Sequence, residues 1–511
     1  MSDADGYTSA AVLINYLYSL FPAFVKNHIS YRIHDGKEHG IILDTIPTGT
    51  KMVIAPDSSS NEYEIHKELA EQGIDVLVID HHEAEMVSPY ACVINNQLCD
   101  YPNKTLSGVG VVYKFCSHID SFLSIKNADK FLDLVALGII ADVMDLRQLE
   151  TKYFIEQGLS NIRNPFFREM VEKQSFSLKG EITPFGVAFY IAPYINAMVR
   201  MGTEKEKILL FESMLDFKGY EEIPSTKRGS KGKLESRVEQ ACRTCTNVKN
   251  NQAKERDANY EIIEKLIEER GLLENKILLI LLEKEYNLNK NLTGLIANQL
   301  MSKYKMPVLL LNESIKENGE IHWEGSGRNS DKSELKNLRE FLAESGLIEY
   351  AQGHASAFGV GIKNENIQKF LEYVNKELAD FNFDLVYDVD AIFSADNINT
   401  MDILDIAELK SVWGQGVEEP MFAIENIKVN EANLKLMSPD KSPTLKIILP
   451  NGISLIKFKS SQEEYDSLNS TEGCTYINIV GTCEANAWNG SLYPQMIIKD
   501  YNITKKVAFY F

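Results

Sequence analysis

Two short apolar runs, at 52–55 and 76–79, are rich in β-branched residues, and each leads straight into acidic or imidazole side chains, as MVIAPDSSS and VLVIDHHEAE. Between them, residues 62–72 carry a helical pattern, with Ser60 or Asn61 available as its N-cap. Strand, helix and strand in this order predict a βαβ unit and therefore a parallel sheet. Ligands of such sheets collect beyond the carboxyl ends of the strands, where these polar clusters fall.

Four clusters within the first 142 residues share one composition: Asp3-Ala4-Asp5-Gly6, Asp57-Ser58-Ser59-Ser60, Asp80-His81-His82, and Asp142 in ALGIIADVMD. Each alone has an ordinary reading. Asp57 and its serines would cap a helix, Asp3 to Gly6 would make a turn, and Asp142, set in an apolar segment, would need a salt-bridge partner. Two adjacent histidines at the end of a buried strand are harder to explain by packing. Gathered at strand ends, carboxylates repel one another unless cations neutralise them, and carboxylate with imidazole suits Mn²⁺ or Mg²⁺ before Zn²⁺. A pair of such ions activates water and grips both oxygens of a phosphate ester, so the expected chemistry is phosphoester hydrolysis.

At 511 residues the chain exceeds what one core usually serves, and its 44% hydrophobic and 25% charged residues are those of a globular protein rather than a disordered or fibrous one. No apolar stretch is long enough to span a membrane and the first ten residues lack the pattern of a secretory signal, so a cytoplasmic protein is expected. Seven cysteines (Cys92, Cys99, Cys116, Cys242, Cys245, Cys474 and Cys483) are too few and odd in number for a disulfide framework. Cys242 and Cys245 form a lone CxxC, read as two unlinked thiols on a helix. The net charge of −20 opposes indiscriminate coating of nucleic acid. Residues 227–256 nevertheless hold nine basic residues against three acidic, which is either an electrostatic footprint or a solvated helix face.

Residues 150–200 read as mostly helical, 203–234 as a linker or mobile loop, and 234–271 as a long charged helix. A second α/β unit starts at KILLILLE (276–283) and continues through LTGLIANQLMSKY, PVLLLN and glycine-rich turns at 325–327 and 353–361. Beyond about residue 385, FAIENIKV, TLKIILPNGISLIKF, CTYINIVGTCEAN and YPQMIIKDYNI predict a small antiparallel β-barrel or sandwich.

DADG, PDSSS, the DHH triplet and ALGIIADV stand in the order and spacing of the four motifs of the DHH phosphoesterase superfamily, which this chain resembles. IAPYINAMVRMG (191–202) resembles the pattern that RecJ-type single-strand-specific exonucleases carry after the DHH domain. GSGR (325–328) and GHASAFGVG (353–361) are similar to phosphate-binding elements of the associated DHHA1 domain. WGQGVEEPMFAIENIKV and NAWNGSLYPQMIIKDY look like strands of the RecJ oligonucleotide-binding barrel. The resemblance implies an α/β protein with a parallel-sheet DHH domain (1–202), a linker and long connecting helix (203–272), a DHHA1 α/β domain (273–384) and an OB-like β-barrel (385–511).

It further implies metal ligation by Asp3, Asp5, Asp57, His81 and Asp142, with two divalent cations, Mn²⁺ or Mg²⁺, as cofactors. Asp80 would orient the imidazoles, His82 would contact the scissile phosphate or a metal, and Arg200, Ser326, Arg328 and His354 would hold substrate phosphates, the last three through glycine turns that expose backbone N–H groups. Trp488 and Tyr493 would either stack on bases or fill the barrel core. The implied activity is 5′-to-3′ degradation of single-stranded DNA to mononucleotides in repair, recombination or replication, with a single-strand-binding protein or a helicase as partner. The alternatives are a phosphodiesterase of short oligonucleotides or cyclic dinucleotides, and a non-catalytic DHH scaffold. Two departures stand out. The family's first motif follows a buried strand, for which a chain beginning at Met1 has no room, so a missing N-terminal segment is expected. Gln352-Gly353 also replaces the usual two glycines before His354, a change expected to weaken phosphate binding.

Overall fold

In the computed structural model, which describes residues 3–508 apart from 35–37, 39, 231, 287, 331, 384, 441 and 470–472, Asp3 caps a helix rather than making a turn. Helix α1 (Ala4–Leu20) is buried from Ala4 to Tyr16, and α2 (Pro22–His28) follows it. Strands β1 (Met52–Pro56), β2 (Asp75–Asp80) and β3 (Cys92–Asn95) form the predicted parallel sheet, in the order β1-β2-β3. The register pairs Pro56 with Ile79 and Asp80 with Asn95, so the three carboxyl ends finish side by side. Helix α3 (Tyr63–Glu71) is the crossover; its N-cap is Glu62, and neither Asp57, Ser60 nor Asn61 caps it. The Ser60 N–H instead donates to Asp80, and Asn61 bonds the backbone of Glu83 and Glu85.

Helices α4 (Gly108–Leu123), α5 (Leu132–Ala141) and α6 (Leu149–Ser160) continue the unit. Helix α5 is apolar on every side, the signature of a central helix, and it packs against α1, α4 and α6. Then come α7 (Pro165–Lys173), α8 (Ser175–Leu178), α9 (Pro184–Tyr190) and α10 (Ala192–Met201), as the helical pattern predicts. Within 203–234, expected to be a linker or mobile loop, regular elements stand instead. Thr203 and Glu206 form a capping box that starts α11 (Glu204–Ser213), whose Leu210 and Phe211 are fully buried, and β4 (Glu222–Pro224) pairs with β5 (Leu234–Ser236).

The chain divides into two compact units, residues 1–246 with 388–511, and residues 247–387. Helix α12 (Arg237–Glu269), 33 residues long, runs from the first into the second. Cys242 and Cys245 are buried free thiols on it. Two cations of the 227–256 run, Arg237 with Glu212 and Glu221 and Arg243 with Glu235, are paired within the fold; Lys231 lies outside the described residues.

In the second unit, β6 (Leu278–Leu282), α13 (Thr293–Tyr304), β7 (Val308–Ile315), β8 (Ile321–Arg328), α14 (Leu338–Glu344), β9 (Tyr350–His354), β10 (Ala357–Lys363) and α15 (Ile367–Glu377) build a five-stranded sheet of order β6-β7-β8-β10-β9. The glycine-rich segments at 325–327 and 353–361 are therefore paired strands and not turns, apart from the hairpin corner at 355–356. Their backbone groups belong to the sheet ladder. Residue 384, the expected domain edge, is outside the described residues.

The C-terminal part of the first unit contains β11 (Ala391–Ser394), α16 (Thr400–Glu408), β12 (Phe422–Val429), β13 (Leu434–Met437), β14 (Thr444–Ile448), β15 (Ser454–Phe458), α17 (Gln462–Leu468), β16 (Gly473–Trp488) and β17 (Ser491–Ala508). Its seven strands, in the order β11-β12-β16-β17-β15-β14-β13, enclose one apolar core that includes Ile424, Leu455, Ile477 and Met496. The expectation of an antiparallel set needs correction, because β11 pairs with β12 and β15 with β17 in parallel.

Phe211 is fully buried on α11 and meets the Tyr31 ring at 4.8 Å and the Tyr7 ring at 6.0 Å. Phe211→Ala is therefore expected to cost about 3–5 kcal/mol, read by urea unfolding; a loss under about 1 kcal/mol would return this segment to the class of linkers.

Candidate metal centre and phosphate-facing residues

Four chain segments deliver the central cluster. Asp5 lies in the first turn of α1, Asp57 follows β1, His81 follows β2, and Asp142 is the C-cap of α5. Only Asp57 and His81 stand at strand ends; the segments expected to end strands at Asp3–Gly6 and Asp142 are helix termini. His81 Nε2 is 3.2 Å from Asp57 Oδ1, 3.6 Å from Asp142 Oδ2 and 4.0 Å from Asp5 Oδ2. Two groups able to hold a cation result, Asp57-His81-His82 and Asp5-His81-Asp142, and they share His81.

The electrostatics of the cluster call for positive charge. Burial raises the Asp5 carboxyl above its ordinary value, with Asp3 adding to the effect and His81 opposing it. Asp57 is pushed well above its ordinary range by burial and then by Asp5 and Asp3. Burial and the neighbouring Asp5 bring Asp142 to about 7. Asp57 Oδ1 and Asp142 Oδ2 are buried and lack an aligned hydrogen-bond donor, although His81 is near. Orphaned carboxylate oxygens around an imidazole are the donor set of a hard divalent cation, so the residues fit one.

Asp80 differs in kind. It accepts from the backbone N–H of Ser60 (3.1 Å) and His81 (2.8 Å), and its Oδ1 lies 2.8 Å from His82 Nδ1. Burial alone would raise this carboxyl, but His82 and these donors outweigh burial and hold it well below the usual range. The same contact raises the His82 imidazole. Asp80 is thus occupied as an orienting group, while the His82 side chain is 60% exposed, with Nε2 as its uncommitted ring nitrogen. Asp3 is outside both cation-competent groups; it accepts the Gly6 N–H at 3.0 Å as the cap of α1, close enough to act on the other carboxylates through its charge. Met1, on which the expected missing segment rests, lies outside the described residues.

Several supporting residues escape sequence reading. The N–H groups of Gly108 and Val109, at the amino end of α4, donate to Asp5 at 2.7 and 3.2 Å, so a helix terminus faces a carboxylate. At Gly138 of α5 a Cβ would meet Thr8 Oγ1 at 2.2 Å and Asp5 Oδ1 at 2.7 Å, so only glycine lets α1 bring Asp5 this close. At the end of β3, Asn95 donates to Ser60 Oγ (2.8 Å) and to the His82 carbonyl (2.9 Å), and Gln97 donates to the His81 carbonyl (3.1 Å). Polar residues hooked onto backbone carbonyls have no characteristic spacing; the one signal was their place after a third apolar run.

Of the residues expected to hold phosphate, the second unit brings three together. Arg328 and His354 both pair with Ala357, and Ser326 pairs with Gly359 two places on, so all three share one face of the sheet with small residues between them. Ser326 Oγ is 2.8 Å from Thr293 Oγ1 at the start of α13, and Arg328 lies against Gly294. Side chains, and not the expected turn N–H groups, line this face. Arg200 belongs to the first unit, exposed in the last turn of α10. Trp488 and Tyr493 are 66% and 50% exposed at the tip of the β16–β17 hairpin, which removes the barrel-core alternative.

Comparison with known proteins bears on these two sites. Residues 1–139 match the DHH family N-terminal domain and residues 389–500 the RecJ OB domain. The chain is 39% identical, over 99% of its length and 86% of the relative's, to a Bacillus subtilis protein named as an SPbeta prophage-derived single-strand DNA-specific exonuclease. It is 26% identical to the single-stranded-DNA-specific exonuclease RecJ of Bacillus subtilis, over 99% of this chain and 61% of that one. The crystal structure of Thermus thermophilus RecJ in complex with Mn²⁺ superposes with a TM-score of 0.70 at 20% identity, covering 99% of this chain and 68% of that one. With Mg²⁺ the same protein gives 0.64 at 18% identity, covering 98% and 66%.

A carboxyl whose folded value is raised stabilises the fold below its unfolded value near 3.8, and that contribution is lost as pH rises through about 7 for Asp142. Metal-free protein is therefore expected to lose thermal stability over this window, and the rise in Tm on adding Mn²⁺ to be larger at pH 8 than at pH 5.5; an equal rise at both would contradict the raised carboxyls. Asn95→Ala is expected to weaken Mn²⁺ binding about 10- to 100-fold in calorimetric titration, the usual effect of losing an outer positioning group.

Proposed function

Because the chain belongs to the DHH family, and within it to the RecJ-type nucleases, we propose that it is an exonuclease that hydrolyses the phosphodiester bonds of single-stranded DNA, working 5′ to 3′ and releasing mononucleotides. The observation that carries this reading is the cluster of Asp5, Asp57 and Asp142 around His81, with two buried oxygens that lack an aligned donor, inside a chain that also contains an oligonucleotide-binding-type domain. The additional domain favours a polymer over a cyclic dinucleotide.

Divalent cations, Mn²⁺ or Mg²⁺, are the cofactors, and Asp5, Asp57, His81 and Asp142 would hold them, with Asp3 and His82 beside them. When bound, a divalent pair supplies an activated water and neutralises charge on the phosphodiester. Asp80 fixes the His82 ring through Nδ1, which leaves Nε2 to face a phosphate oxygen or a cation. Ser326, Arg328 and His354 in the second unit would bind phosphates of the strand, and Arg200 in the first unit would do the same. Trp488 and Tyr493 offer exposed rings for base stacking. A helicase or single-strand-binding protein would supply the strand, and seven free thiols suit action in the cytoplasm; no described helix is long and apolar enough to cross a membrane.

The deciding assay is Mn²⁺-dependent nucleotide release from a 5′-phosphorylated single strand. His81→Ala is expected to reduce it by more than about 100-fold, since His81 belongs to both cation groups. A duplex of the same sequence should resist, and equal release from both substrates, or from wild type and variant, would sink the proposal. Trp488→Ala with Tyr493→Ala is expected to raise KM for a long strand about 10-fold, near one stacked base, with kcat kept.

A further inference from the structure

The loop that carries Asp142 is held from outside the domain that contains it. Asp142 ends α5, and the residue after it, Val143, has φ +59°, a left-handed conformation that a β-branched residue rarely adopts. Such a conformation persists only where its surroundings enforce it. On the α5 side, the N–H groups of Asp142, Val143 and Met144 bond Gly138, Ile140 and Ile139 carbonyls. On the other side the contacts come from the C-terminal part of the chain. Gly414 and Val417 close a tight turn through reciprocal backbone bonds of 2.9 and 3.0 Å, and the Leu146 N–H donates to the Gln415 carbonyl at 2.8 Å.

The turn fits this loop closely. A Cβ at Gly414 would meet the buried Leu146 at 2.2 Å. Gly416 has φ +77°, and a Cβ there would meet Asp145 Oδ1 at 2.2 Å and Arg147 Nε at 3.2 Å. Asp145 itself accepts from the Arg147 backbone and guanidinium, which bends the loop into the shape the turn receives. Three consecutive residues of the Asp142 loop are thus gripped within five positions of a cation-holding carboxylate.

We infer that the Gly414–Val417 turn is a positioning element of the metal centre: it holds residues 145–147 and through them sets the Asp142 carboxylate, which makes the oligonucleotide-binding-type domain part of the cation site. The inference rests on the metal-dependent reading above. A turn that only fastened one domain to another would tolerate small distortions without any change at the cations.

The test is Mn²⁺ titration of the full chain by calorimetry, with kcat and KM on a 5′-phosphorylated strand. Gly416→Ala is expected to weaken Mn²⁺ binding about 10-fold and lower kcat with KM for the strand kept. Gly452→Ala is the control, because Gly452 lies in the same domain at φ +90° with nothing within 4 Å of where a Cβ would stand, so it carries the backbone strain without the clash. Adding Asp145→Ala removes the oxygen that the new methyl meets and should return Gly416→Ala to the affinity of Asp145→Ala alone. Should Gly416→Ala not fold, the exposed Arg147→Ala replaces it, with an expected loss of about 3-fold, below the usual range for such groups because only one brace is removed. Wild-type affinity in the folded variant, or an equal loss in Gly452→Ala, overturns the inference alone. A wild-type chain that binds no Mn²⁺ overturns the nuclease reading and this inference with it.

Discussion

Three carboxylates around one imidazole, Asp5 buried and Asp57 and Asp142 partly buried, govern this structure. Two unit charges 4 Å apart repel by about 4 kcal/mol at the effective dielectric of a protein. The cluster of Asp5, Asp57 and Asp142 therefore opposes folding unless protons or cations compensate it, and several local arrangements around it work toward that compensation. The amino end of α4 points its N–H groups at Asp5, and His81 stands among all three. Glycine at 138 gives Asp5 and Thr8 the room they need.

Asp80 and Asp57 show how environment assigns different work to one residue type. Asp80 is the last residue of one parallel strand and Asp57 follows its neighbour. Asp80 is met by donors from Ser60, His81 and His82, so its charge is already spent on holding the loop. Asp57, with φ +60° and a buried oxygen lacking a donor, has its charge still available. The distinction lies in hydrogen bonds from the His82 ring and from backbone groups that the fold brings to Asp80, and a string of residue letters does not record those.

That limit explains what was readable beforehand. The short apolar, β-branched runs before Asp57 and Asp80, with a helical pattern between them, announced a parallel sheet because strand ends are marked by an abrupt change of polarity. Asp5 and Asp142 were found as residues but misplaced as strand ends, since helices α1 and α5 are so thoroughly buried that their apolar residues show no face. GSGR and GHASAFGVG read as turns because glycine usually marks them, whereas here it allows close strand packing. The 203–234 segment looked irregular because α11 is short and charged on several sides, and two buried apolar residues, Leu210 and Phe211, carry the packing. Asn95 and Gln97 were invisible because their role depends on carbonyls brought near by the fold.

The left-handed backbone at Asp57, Ser59 and Val143 gathers conformational cost at the edges of the same cluster. Non-glycine residues in that region cost on the order of 1–3 kcal/mol each. Natural drift toward residues that relax these positions would make a sturdier protein and a slacker ion cradle. Selection for endurance and selection for turnover would thus pull in opposite directions at these three positions.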